Sequence, residues 1–240
     1  MEGFLSRLQV TLLYERDVSA DAPPPVARGV QTFSEERLRE RIDRYRSACV
    51  VQTLSEDALE ALGQVCPMDA QAMRPRLRRG DRCYVAWVDG RAVHFTWVQV
   101  SGWHYLLSAG LWHRIRKGEA WLYHGHTAAG FRGRGVCYFV GARILEDLRR
   151  DGAFQRVIVY TTQDNRASQG TIRRTGFSLK RRHYALRVRG VHIPLPGLST
   201  VLHGGDAMEY VLSFPEAAKE LLRRFGVIQA PSRRPADLWY

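Results

Sequence analysis

Lysine is almost absent from this chain. Of 36 Lys and Arg residues in 240, only Lys117, Lys180 and Lys219 are lysines, and the remainder are arginines. A preference so uniform reads as a compositional habit and not as a patch built for one partner. The net charge of +12 attracts phosphates of coenzymes, nucleotide sugars or nucleic acid at long range without choosing among them. No reading module or interleaved aromatic and basic pattern accompanies it, which argues against nucleic acid as the partner. Long apolar runs are also missing. The patch of Leu8, Val10, Leu12, Leu13 and Tyr14 is bounded by Arg7 and Glu15, too closely for a secretory core or a membrane span. We therefore expect a soluble, cytoplasmic protein. Paired cysteines are the third absence. Cys49, Cys66, Cys83 and Cys137 are widely spaced, with no C-x-x-C pair and no histidines at zinc-finger spacing, so neither a disulfide framework nor a structural metal is indicated.

What remains is a globular composition, 45% hydrophobic, in a length that suits one sizeable core with terminal additions. Three consecutive prolines, Pro23 to Pro25, mark 20–27 as a stiff connector, and an accessory strand is expected before it. Residues 34–46 read as a charged helix or solvated arm and 48–53 as a short strand. Ser55 caps a helix through Leu59, Leu62 and Val65; a second helical piece over 69–79 is interrupted by Pro75 and ended by Gly80. Asp89-Gly90 is a strong hairpin signal joining strands at 83–88 and 91–100. The stretch 101–118, with Trp103 and Trp112, reads as strand or irregular. A strand at 120–127, a helix at 136–150 stopped by Gly152, a β-branched run at 157–161 (VIVYT) and a helix from Asn165 to Gly176 follow. Two further strands are expected at 177–179 and 184–188, with Arg181, Arg182 and His183 between them, and one helix at 214–225. Strand, helix, strand implies a parallel pair within an otherwise antiparallel sheet. The expected divisions are 1–33, 34–190 and 191–240.

The segment with chemical content is Phe131-Arg132-Gly133-Arg134-Gly135-Val136-Cys137, between a strand and a helix. Two glycines let backbone approach a ligand, a helix start aims unpaired N–H groups at one spot, and its dipole favours an anion. Arg132 and Arg134 add full charges. Tyr138 stands where a dinucleotide turn needs a third glycine, and no Gly-Lys-Ser/Thr P-loop exists.

With that context, the segment resembles the GNAT acyltransferase superfamily, whose coenzyme A signature is Arg/Gln-x-x-Gly-x-Gly/Ala. Downstream, Asn165, Ala167 or Ser168, and Gly176-Phe177 take the places of its Asn-x-x-Ala/Ser to Gly-Phe pattern. The resemblance covers about 48–190 and implies an α/β fold with a mixed, mostly antiparallel sheet, helices on both faces, and N- and C-terminal extensions. It implies an acetyl-CoA (acyl-CoA) co-substrate, no metal, and direct transfer of an acyl group to a primary amine of a small molecule. The expected cofactor-binding residues are Thr127, Ala128, Arg132, Gly133, Arg134, Gly135, Val136, Cys137, Asn165 and Ser168, with a bulge splaying the strand at 120–127 from the next. Gly80 to Gly90 and Trp121-Leu122-Tyr123 resemble members acting on amino sugars. Two departures stand out. The helix position where relatives place a tyrosine acid is Ile172, and the last motif position is Cys137.

His124 and His126 lie two apart on the strand and titrate near neutrality, which suits a base; a metal half-site or a polar sheet face are the other readings. Glu119 is the nearest carboxylate to the strand position where relatives carry an acid. Cys137 is a nucleophile in principle, but packing is the preferred reading because no histidine adjoins it. Trp103, Trp112 and Trp121 suit stacking on an acceptor or core filling. A homodimer contact through the extensions is consistent with the chain, and a non-catalytic acyl-CoA sensor or basic scaffold is the alternative function.

Overall fold

A computed structural model describes residues 7–19, 49–66, 70–188, 191–195, 200–201 and 210–212. Within them run β1 (Arg7–Asp17), β2 (Cys49–Thr53), a 3₁₀ helix (Glu56–Gln64), α1 (Ala70–Arg78), β3 (Arg82–Val88), β4 (Arg91–Gln99), β5 (Trp103–Leu106) and β6 (Leu111–Arg114). Then come β7 (Glu119–Thr127), α2 (Val136–Asp151), β8 (Arg156–Thr162), α3 (Arg166–Arg174), β9 (Ser178–Val188), β10 (Val191–Pro194), β11 (Thr200–Val201) and β12 (Tyr210–Leu212). The helices expected at 34–46 and 214–225 lie outside the described residues.

The main sheet has the order β10-β9-β1-β8-β7-β4-β3-β2, with β11 on β9, and β12-β6-β5 form a second sheet. Among the described residues, β7 and β8 are the parallel pair and the other pairings are antiparallel. Strand β8 is apolar on both faces because it lies inside the sheet. The hairpin expected at Asp89-Gly90 forms with φ of 50° and 72° at its two turn residues, the left-handed pair that a tight two-residue connection requires.

Strand β1 does not lie at an edge. It is inserted between β8 and β9, with Leu13 opposite Tyr160 and Thr11 opposite His183. Its alternate residues serve both faces: Val10, Leu12 and Tyr14 join the core beneath α2, and Leu13 joins the opposite one.

Helix α2 begins after Gly135 and stops at Gly152 (φ 71°), whose N–H bonds the Arg149 carbonyl. Its stripe of Val136, Val140, Ile144, Leu145 and Leu148 is buried on the sheet with Leu122, Val157 and Ile172. On the other face, Leu59, Leu62 and Met73 cover Val85, Phe95 and Trp97, while Leu106, Ala109 and Leu111 cover Trp121 and Ile158. Trp121 is fully buried, the core-filling outcome.

Three local expectations are corrected. The strands expected at 177–179 and 184–188 are one continuous β9, because β1 beside it takes up the alternation and buries Arg181 and His183. Pro75 sits inside α1 without ending it; in so short a helix it removes a single backbone bond. The segment after Ser55 is 3₁₀ over Glu56–Gln64, and the Ser55 side chain makes no capping bond.

Candidate active site

The turn between β7 and α2 is built on two left-handed glycines. Gly133 has φ 71° and Gly135 φ 87°, values that cost side-chain-bearing residues about 1–2 kcal/mol. A Cβ built on either would meet nothing within 4 Å, so the glycines are required by backbone shape, and open space lies above them. The first helical bond of α2 runs from the Phe139 N–H to the Gly135 carbonyl. The N–H groups of Val136, Cys137 and Tyr138 therefore have no acceptor within the helix, and no side chain caps it. Arg132 folds back, its Nε 3.1 Å from the Thr127 carbonyl and an Nη 3.5 Å from His126 Nε2. Arg134 lies 5.5 Å from the Phe131 ring centre.

Before that turn, β7 leaves its neighbour. Parallel pairing with β8 runs from Glu119–Arg156 to Leu122–Val159 and stops, although β8 continues to Thr162 and β7 to Thr127. The cause is a bulge: between Phe95 and Trp97 of β4, the register on β7 jumps from His126 to Tyr123. His124 takes φ 50° there, a conformation uncommon for residues other than glycine. The extra residue bends the strand and opens a gap toward β8, with a backbone edge facing it.

On the face opposite α2, beside this gap, lies a polar cluster. Tyr123 donates its hydroxyl to Asp81 Oδ2 at 2.5 Å, and Arg79 pairs with the same carboxylate at 2.5 Å. Arg76 on α1 stacks 5.3 Å from the ring centres of both Trp97 and Tyr123 and places Nη1 2.6 Å from His124 Nδ1. A guanidinium only donates, so Nδ1 accepts and the His124 proton resides on Nε2. Burial first, then the Arg76 charge, hold the His124 pKa down at about 4. His104 donates Nδ1–H to Gln99 Oε1 at 2.9 Å, because the Gln99 amide nitrogen is already given to the carbonyls of Ser101 and Trp103. Its Nε2 is buried without a partner, and its ring lies 5.1 Å from Tyr123 and 5.4 Å from Tyr160. Tyr160 is the first residue of β8 beyond the last parallel pair. Burial pushes its hydroxyl up to about 12, with Arg76 pulling the other way. Arg76, Tyr123, His124 and Tyr160 are half-buried and Arg79 is exposed, so the cluster reaches the surface.

The structure brings some expected residues together and separates others. His124 and His126 both pack on Phe95, at 5.6 and 6.2 Å between ring centres, and both are met by arginines. His126 is held below its ordinary pKa by partial burial and Arg132. Glu119 stands at the other end of β7, roughly 16 Å away at 3.3 Å per residue, ion-paired with Arg156 at 3.2 Å and accepting the Arg116 N–H. Thr127 bonds His94 through its hydroxyl at 2.7 Å, and the Ala128 N–H goes to the Val93 carbonyl. Asn165 caps α3 by accepting the Ser168 N–H at 3.1 Å. Cys137 is exposed. Ile172 is 6% exposed and packed in the core. Sequence reasoning missed Arg76, Arg79, Asp81, His104 and Tyr160. Tyr160 carried a faint signal, as a hydroxyl-bearing residue near the end of an otherwise apolar run; the others lie on segments whose periodicity says nothing about a cleft.

Residues 49–177 match the model of the acetyltransferase (GNAT) family. No curated protein matches the chain. Among solved structures, it is similar to an acetyltransferase from the GNAT family of Colwellia psychrerythraea, with 14% identity over 75% of this chain and 55% of that one, TM-score 0.48. A GCN5-related N-acetyltransferase from Sphaerobacter thermophilus gives 14% identity, 76% and 53% coverage and TM-score 0.48. The glucosamine N-acetyltransferase region of a fungal multi-domain GH3 β-N-acetylglucosaminidase gives 13% identity, 76% and 21% coverage and TM-score 0.50, a likeness of fold. The chain thus spans about half, or less, of the length of these structures.

Proposed function

This chain belongs to the acetyltransferase (GNAT) family, and on that premise we propose that it moves an acetyl group from acetyl-CoA to a primary amine of a small molecule by direct transfer. The observation that carries the reading is the end of β7–β8 pairing at Leu122–Val159, with the open N-terminus of α2 at the head of the same gap. The N–H groups of Val136 to Tyr138, the turn at Gly133 and Gly135, and Arg132 and Arg134 form a cradle for a pyrophosphate. The gap supplies the strand edge for an extended pantetheine arm, with Thr127 and Ala128 at the end of β7 and Asn165 and Ser168 at the start of α3, which follows β8. Acetyl-CoA, when bound, supplies a thioester carbonyl open to attack by an amine.

Within the chain, Nε2–H of His124 is a donor for negative charge developing on an oxygen. His126, whose Nε2 has only a 3.5 Å contact with Arg132 to give up and which is less buried, is the better placed of the two to take the ammonium proton on that nitrogen, directly or through water. Tyr160 is a donor for a leaving thiolate, in place of the tyrosine that Ile172 replaces. Glu119, committed to Arg156, has no part in this scheme. An amino sugar or related metabolite is the acceptor class suggested by the sequence.

Thiol release from acetyl-CoA over a panel of amines, with His124→Ala and His126→Ala beside the parent, tests this. Amine-dependent release is expected, reduced about 10²-fold by the His126 change. The burial of Ile172 favours a second reading, an acyl-CoA sensor without turnover, which binding with no amine-dependent release would establish.

A further inference from the structure

Charge in the polar cluster does not balance. Asp81 is matched by Arg79, which donates to both of its oxygens, and Oδ2 also accepts the Tyr123 hydroxyl. His104 and His124 are neutral, each held down by burial and by nearby arginine. Arg76 remains: among the described residues no carboxylate pairs with it, and its fixed partners are a neutral imidazole and two aromatic faces. Its charge is felt at His124, His104, Tyr123, Tyr160 and Cys83, which places it among the groups beside the gap. One donor nitrogen is used on His124, and a guanidinium has five N–H bonds in a planar fork. A half-buried guanidinium set over the Trp97 and Tyr123 rings and bonded to His124 is held in place, with donors to spare and no carboxylate beside it among the described residues.

We propose that the acceptor is an amine that also carries an anionic group, a carboxylate or a phosphate, and that Arg76 is the residue that binds this group. The inference rests on reading this face as the acceptor side of acyl transfer. It has a second physical consequence. A net positive cluster disfavours an ammonium beside it and so favours the free amine that attack requires, whereas polycationic amines are repelled twice, by Arg76 and by the +12 chain. Neutral amines lose the anchor. The two sources of the anion, an amino acid carboxylate and a sugar phosphate, share the same fork geometry.

Calorimetric titration with matched probes decides it: phenylalanine against phenylethylamine, glucosamine 6-phosphate against glucosamine, and spermidine as the polycation, each with and without coenzyme A. In the parent protein, at least one anionic probe is expected to bind about tenfold or more tightly than its partner, and the pair that shows it identifies carboxylate or phosphate. In Arg76→Met, which keeps an apolar stem against Trp97 and Tyr123, that ratio is expected to fall to within about twofold while coenzyme A affinity is retained. A ratio that survives in Arg76→Met would assign the preference to the general basic surface and overturn the proposal. Spermidine or the neutral partners binding best, or neither anionic probe binding at about 10 mM, would overturn it as well. Failure of coenzyme A to bind the parent removes the acyl-CoA reading separately, because the probe titrations run without nucleotide still report the charge preference.

Discussion

A single proton position separates the two histidines of β7. Arg76 fixes His124 as a donor through Nε2, while His126 keeps a looser contact with Arg132. Spacing alone, two residues apart on a strand, treats them alike; the resemblance implied a bulge in this strand but not that it falls on His124, at φ 50°, and the arginine from another element is invisible in a pattern of letters. Tyr160 is the residue on which protonation of the leaving group is placed. Tyr160→Phe is expected to lower kcat about 10²-fold with the KM for acetyl-CoA unchanged, in steady-state kinetics of thiol release; an unchanged kcat would remove it from the scheme. The turn glycines, by contrast, were legible from their place between a strand and an amphipathic helix; Gly-x-Gly alone equally suits a packing device or a dinucleotide turn, and the structure adds their left-handed φ.

At the scale of elements, β1 decides the integrity of the site's second wall. It is the strand that pairs β8 on the side away from the gap, and Val10, Leu12, Leu13, Tyr14 and Val18 are buried through it. At roughly 1.5–3 kcal/mol per buried side chain, its contribution is comparable with the entire stability of a domain, about 5–15 kcal/mol. Removal of residues 1–19 is therefore expected to abolish the cooperative thermal transition, and Leu13→Ala to cost about 2–5 kcal/mol in denaturant unfolding. A truncated chain that melts like the parent would contradict the placement. The sequence marks β1 as a strand but not where it inserts, because period-two alternation is the same for an edge and for the middle of a sheet. β7, α2, β8 and α3 were legible because their periodicities, caps and connection lengths all agree. The 101–118 segment was not, because its short strands pair with each other and with β12, far along the chain.

Over the whole molecule, burial of histidine sets the response to acid. His94, His104 and His183 are held near 3, 3 and 4 chiefly by burial, below the unfolded value of about 6.5. The unfolded chain binds protons there that the folded chain does not, so the stabilisation is complete above about pH 6.5 and declines as pH falls toward 4. Each histidine contributes about 1.4 kcal/mol per pH unit in that window. Denaturant midpoints at pH 7, 6 and 5 should fall steeply, with the largest step below pH 6; a flat profile would mean these rings are hydrated. No helix among the described residues is long and apolar enough to cross a membrane.

Everything proposed for function depends on the turn at Gly133 and Gly135 acting as a pyrophosphate cradle at the head of the β7–β8 gap. Calorimetric titration of acetyl-CoA into the parent and into Gly135→Val tests it most directly. With φ 87° at Gly135 and no neighbour within 4 Å of an added Cβ, the substitution strains the turn by about 1–2 kcal/mol without disturbing the core. Micromolar binding by the parent is expected, with a loss of about tenfold or more in a variant that still melts cooperatively. No binding by the parent, or undiminished binding by the variant, would contradict it.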